Sequence, residues 1–163
     1  MMKKYYWLSI IPLIICFTMG YRRAIDIDKD KAEIMRLQEL QRKAHFNKDA
    51  GLLVSMFSDD YINVKAGKIE SPTREQSINR LQPYFDQSSF IEWDNISPPI
   101  IRVSEDASMA YAIVQKRVRL KAKDNNGVER EYQTIFAWME TYEKREGKWK
   151  LTAVASTNEP SQE

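Results

Sequence analysis

The chain has 163 residues, 43% of them hydrophobic and 29% charged, which are values of one ordinary globular domain and exclude a disordered chain. Lys3 and Lys4 supply the whole formal charge of +2; past residue 20 the basic and acidic residues balance at 23 each, so nothing points to nucleic acid. Cys16 is the only cysteine and His45 the only histidine, which excludes disulfides, cysteine-based or multi-histidine metal sites and thiol nucleophiles from the body; no metal and no cofactor is expected.

In chain order, Lys3 and Lys4 precede an apolar run, YYWLSIIPLIICF, and Thr18-Met19-Gly20 places small residues where a cleavage site needs them. Residues 1–20 therefore have the layout of a signal peptide. The apolar core is shorter than a spanning helix usually requires. Arg22 and Arg23 directly after it disfavour translocation; an uncleaved anchor is the second form, and Cys16 in Leu-Ile-Ile-Cys leaves lipidation as a third. Export to the periplasm or outside is expected, with membrane contact only through this segment.

Residues 21–31 are polar and read as a linker, and the domain is expected over 32–158, with a polar tail at 159–163. From Ala32, Ile34, Leu37, Leu40, Gln41, Ala44 and His45 recur at spacings of three and four, one face of a helix. Asp49 can cap a second short helix. Tyr61 to Lys65 predicts a strand, with Ser58-Asp59-Asp60 as punctuation before it. Gly67 and Pro72 mark a loop, and Thr73-Arg74-Glu75-Gln76 is a capping box opening a third helix, whose last turn Pro83 should distort. After Gln87 the pattern is strands: residues 89–96, continued past Pro98-Pro99 over 100–103, then two long strands over 107–123 and 129–144 separated by Asp124-Asn125-Asn126-Gly127, and a last strand over 149–157. Helices first and a strand meander afterwards predict an α+β domain with one curved, mainly antiparallel sheet holding about three helices in its concave face.

That order, with Lys48-Asp49 closing the first helix, Met56-Phe57-Ser58-Asp59-Asp60-Tyr61 before the first strand, Thr73-Arg74-Glu75-Gln76 and Glu146-Gly147-Lys148-Trp149-Lys150-Leu151 at the final hairpin, resembles the nuclear-transport-factor-2-like superfamily, particularly its SnoaL-like and ketosteroid-isomerase-like members. The resemblance covers roughly residues 31–158 and implies a cone-shaped fold around a pocket. It also implies where enzymes of the superfamily carry their groups. The carboxylate base, the tyrosine of the first helix and the histidine of the last strand fall here near Lys65, Gln41 and Ala155. The reading is thus a non-catalytic envelope module that binds a small apolar ligand or a protein partner, with a homodimer as one form of partnership. The alternatives are an isomerase, cyclase or hydratase using His45, and an assembly subunit of an envelope secretion system.

Several residues carry the candidate chemistry. His45 lies at the edge of the first helix's apolar face, one turn before Asp49. It is either a half-buried imidazole bonded to Asp49 or to a backbone carbonyl, or a pocket acid or base. Tyr61 and Asn63 share one strand face, which the resemblance turns toward the pocket. Trp93, Tyr111, Phe136 and Trp138 are either core aromatics or the lining of an apolar pocket; Trp149 reads as packing. Glu140, Glu143 and Glu146 among Lys144, Arg145, Lys148 and Lys150 read as a solvated edge. Arg117, Arg119 and Lys121 form a basic row suited to solvent, an acidic partner or lipid headgroups.

Overall fold

The computed structural model describes residues 26–159; the expected leader lies outside the described residues. Asp26 is the first structural device. Its carboxylate accepts the Lys29 backbone N–H at 3.0 Å and caps α1 (Ile27–Phe46), while Asp28 and Asp30 complement the positive end of the helix dipole. The helix thus starts inside the stretch expected as a linker. Asp30 explains why that stretch is ordered: it is buried, and it accepts Lys144 Nζ at 2.6 Å and Trp149 Nε1 at 2.9 Å.

Asp49 caps α2 (Ala50–Ser55) by accepting Leu52 N–H at 2.7 Å. The capping box of α3 (Arg74–Gln87) is present in both directions, Gln76 N–H to Thr73 Oγ1 at 3.2 Å and Thr73 N–H to Gln76 Oε1 at 2.9 Å. The helix runs through Pro83 to Gln87. Gln82 then ties α3 to the α1–α2 junction, donating to Lys48 O at 2.9 Å and accepting Ala50 N–H at 3.2 Å.

The strands are β1 (Phe57–Lys65), β2 (Lys68–Glu70), β3 (Ser89–Asn95), β4 (Ile100–Val103), β5 (Met109–Lys123), β6 (Glu129–Arg145) and β7 (Lys148–Asn158). They form one sheet in the order β2-β1-β7-β6-β5-β3, with β4 also on β5. Every pairing is antiparallel except β1 with β7. β1 is longer than expected because Ser58, Asp59 and Asp60 belong to it; the register slips between Phe57 and Ile62 to absorb them. β2, read as loop in the sequence, is a short return strand. Ala66 and Gly67, both with positive φ, form the two-residue turn that makes it possible, and Glu146 and Gly147 do the same between β6 and β7.

The helices cover one face of this curved, mostly antiparallel sheet. Along β5 the even residues Ala110, Ala112, Val114, Lys116 and Val118 are buried and the odd ones exposed or half-buried. Ile34, Leu37, Val54, Phe85, Tyr142, Trp149 and Leu151 form the core between the layers. Among the described residues no helix is long and apolar enough to cross a membrane.

Candidate functional site

The layers do not close completely. Between the inner face of β1, β5, β6 and β7 and the three helices lies a cavity of about 630 Å³, within the range of small-molecule sites. Its wall is set by strand alternation. Phe136 and Trp138 point inward from β6, Trp93 from β3, Phe57, Tyr61 and Asn63 from β1, and Val154 and Ser156 from β7. Leu81 and Tyr84 of α3 and Gln41 and His45 of α1 complete it.

Of the expected residues, His45, Tyr61, Asn63, Trp93, Phe136 and Trp138 therefore lie on the cavity wall. Tyr111 does not. It is an odd residue of β5, 38% exposed on the outer face, where residues 109–114 are apolar on both faces and the pattern alone leaves the choice open. Ala155 is likewise exposed, between the inward Val154 and Ser156, whereas Gln41 and Lys65 both line the cavity.

His45 Nδ1 donates to Gln41 O at 2.7 Å, the helical carbonyl one turn back, so Asp49 is not its partner. That bond leaves Nε2 unprotonated in the neutral ring. The imidazole stacks on Trp93 at 4.5 Å and meets Phe85 and Phe90. Burial and the nearby Lys116 ammonium together lower its pKa to about 4 against the pull of the carbonyl, so the ring is neutral at pH 7. Lys116 holds the same indole. Its Nζ sits 4.0 Å from the Trp93 ring centroid and donates to Asn95 Oδ1 at 2.6 Å. Burial lowers its pKa to about 8.

The most consequential residue is one the sequence reading placed on a solvated edge. Glu140 is 1% exposed and forms part of the cavity wall. Its carboxyl accepts Trp138 Nε1 at 2.9 Å, Tyr142 O–H and Gln38 Nε2. Gln41 Nε2 donates in turn to Tyr142 Oη at 3.4 Å. Burial pushes the Glu140 carboxyl up; Tyr142, Trp138, Gln41 and Lys116 pull it down but do not outweigh burial. Gln38 Oε1, buried beside it, has no hydrogen-bond partner among the described residues. Strand parity carried the signal: Phe136, Trp138, Glu140 and Tyr142 are all even residues of β6, and two aromatics on one face mark that face as inward. Glu143 and Arg145 do lie at the edge, where Arg145 Nη2 bridges Glu143 and Asp60 at 2.8 Å.

Tyr61, 6% exposed, stacks on Phe57 at 4.1 Å; burial and the Glu140 charge hold its phenol well above the usual range. Glu70 is the cross-strand partner of Asn63, and Arg80 with Asn63 holds its carboxylate below its ordinary range. Two members of the basic row are paired within the chain: Arg117 and Arg119 reach Glu92, and Arg119 also reaches Glu131. Among the described residues no cluster of three His, Cys, Asp or Glu side chains could hold a metal.

No family model matches the chain, and no curated protein is detectably similar to it. Solved structures are. An NTF2-like protein from Cytophaga hutchinsonii has a TM-score of 0.60 at 17% identity, over 78% of this chain and 96% of its own. An NTF2-like protein with a cystatin-like fold from Novosphingobium aromaticivorans has 0.58 at 13% identity, over 80% and 82%. An NTF2-like protein of unknown function in nutrient uptake, from Rhodospirillum rubrum, has 0.58 at 17% identity, over 78% and 98%. At such identities the likeness is one of fold alone: the chain has the α+β, cystatin-like fold of the NTF2-like proteins.

Proposed function

We propose that this domain is a binding module of the cell envelope that holds a small ligand with an apolar body in the cavity between sheet and helices. The observation that carries this reading is an aromatic wall, Trp93, Phe136, Trp138, Phe57 and Tyr61, enclosing one fully buried carboxyl, Glu140. Apolar enclosures with few convergent polar groups are the common form of ligand sites. The nutrient-uptake description of the Rhodospirillum protein is compatible with such a role. His45, neutral and wedged among aromatics, is a weak base, which favours binding over turnover by this residue.

The test uses a panel of apolar ketones, alcohols and carboxylates with thermal unfolding as readout. A ligand present at about a hundred times its Kd stabilises the folded state by about 2.7 kcal/mol, which for a chain of this size is a rise of about 8 °C. Val154→Trp, which fills the cavity from β7, is expected to remove that rise. An equal rise in the filled variant places binding elsewhere. The same panel is assayed for turnover, and product formation abolished by His45→Ala would make the domain an enzyme.

The envelope location rests on residues 1–20. N-terminal sequencing of the envelope fraction is expected to begin at Tyr21 if the leader is cleaved or at Met1 if it is retained; a chain confined to the cytosol contradicts export.

A second reading follows from the outer face of the sheet. Ile100, Ile113 and Met139, neighbours in register across β4, β5 and β6, are 50%, 38% and 42% exposed, and Tyr111 adjoins them. Arg117 and Arg119 on one side and Arg145 on the other are already paired within the chain, while Arg102, opposite Tyr111, adds one cation at the rim. An apolar patch can pack against its own copy, the self-complementarity a two-fold interface requires. A second copy of this chain is the occupant proposed. Light scattering is expected to give a dimer, and Ile113→Lys with Met139→Lys a monomer; a monomeric parent protein removes the reading.

A further inference from the structure

The cavity has a direction. Its exposed wall residues, Lys65, Ala66, Lys68, Glu70, Arg80 and Tyr84, all come from the β1–β2 turn and α3, and so mark the mouth. Trp93, Val118, Glu140 and Leu151, each under a tenth exposed, mark the inner end. A ligand is therefore apolar where it enters deepest and meets water at the β1–β2 turn.

The mouth carries three cations and one acid. Arg80 Nη1 and Glu70 Oε2 neutralise one another at 2.7 Å. Lys65 and Lys68 make no ion pair within 4.0 Å among the described residues, although the Lys68 charge also acts on Glu70. They are moreover direct register partners across the two-residue turn, so their side chains leave the same face of the hairpin. Like charges directly opposite each other in an antiparallel pair are destabilising, and among the described residues no ion pair at contact distance relieves this one. An anion seated between them would. The inner end supplies no competing cation on its wall, since the His45 ring is neutral at pH 7, and Lys116 is engaged by Asn95 and the Trp93 face.

We propose that the ligand of this cavity is an amphipathic anion, its apolar body against Trp93, Phe136 and Trp138 and its anionic group at the mouth between Lys65 and Lys68. This rests on the ligand-binding reading above and goes beyond it by naming the class of ligand. The opposite orientation is disfavoured, because an anion inserted head-first meets Glu140 in a desolvated site. A cationic amphiphile must pass the two lysines to reach that carboxyl.

Three probes of one chain length separate the outcomes: decanoate, decan-1-ol and decylamine, titrated calorimetrically below their aggregation limits into the parent protein, into Lys65→Gln/Lys68→Gln and into Val154→Trp. Decanoate is expected to bind the parent at least about ten-fold more tightly than decan-1-ol, with decylamine weakest. The double lysine variant should lose that preference, and raising salt should weaken decanoate alone, because the mouth is solvent-exposed and screened. Equal affinity for decanoate and decan-1-ol, a preference for decylamine, or a preference that survives the double substitution overturns the inference while leaving a ligand cavity in place. Binding of none of the three, or equal binding to Val154→Trp, removes the cavity reading itself.

Discussion

Glu140→Ala is expected to lower the stability of the domain by about 3 kcal/mol, a fall of about 10 °C in Tm. The reason lies in what the carboxyl accepts. Trp138 Nε1, Tyr142 O–H and Gln38 Nε2 all donate to it inside the wall, and truncation leaves each buried donor without its partner. Each such group costs about 1–3 kcal/mol, reduced where water enters from the cavity. Glu140→Gln keeps one acceptor oxygen and adds donors that the unpartnered Gln38 Oε1 can accept, so its effect should be much smaller. The pair of variants also tests the charge state. Burial holds the folded-state pKa of Glu140 above its ordinary value of 4.5. The stability this group contributes is then full below pH 4.5 and is lost as pH rises through the folded value. Urea unfolding from pH 4.5 to 8 should therefore show the parent losing stability relative to Glu140→Gln. A difference between the two that does not change with pH means that the carboxyl is not raised. Contributions from His45 and Asp30 cancel in that comparison.

Asp30→Ala is expected to cost about 2 kcal/mol and to loosen the first turns of α1. Asp30 joins the start of that helix to the β6–β7 hairpin through Lys144 and Trp149. Removing it strands a lysine against an indole, although water reaches the partly exposed Lys144 and recovers some of the loss. Burial alone would raise the Asp30 pKa; the hydrogen bonds from Lys144 and Trp149 and the Lys144 charge outweigh it, and the net direction is downward from 3.8. The sign is thus opposite to that of Glu140. Its contribution is full above pH 3.8 and lost as pH falls through the lower folded value. Acid titration should show α1 signals in residues 27–33 broadening or exchanging before those of β5 and β6, and Asp30→Ala should show the same exchange at neutral pH. Unchanged amide protection in α1 would show that the helix start is held by its own cap alone.

Local chemistry was legible in the amino-acid sequence, and it carried most of the element order. Asp49, the Thr73–Gln76 box and Asp124–Gly127 act within a few residues of themselves, so the caps and the long hairpin were set by their neighbours in the chain. The absence of cysteine from the body and the presence of a single histidine likewise needed no structure. Other features depend on residues far apart in sequence. Ile27 to Lys31 is polar and reads as linker until Trp149 and Lys144, more than a hundred residues later, give Asp30 its partners. β1 pairs in parallel with β7, a contact between the first and last strands that no local pattern encodes. In residues 109–114 both strand faces are apolar, and only the side on which the helices settle turned Tyr111 outward and Val114 inward. The same choice of side buried Glu140 and Lys116, whose charges argue for solvent when each is read with its immediate neighbours. Strand alternation determined which residues share a face; the packing of three helices onto one side of the sheet decided which face became the cavity.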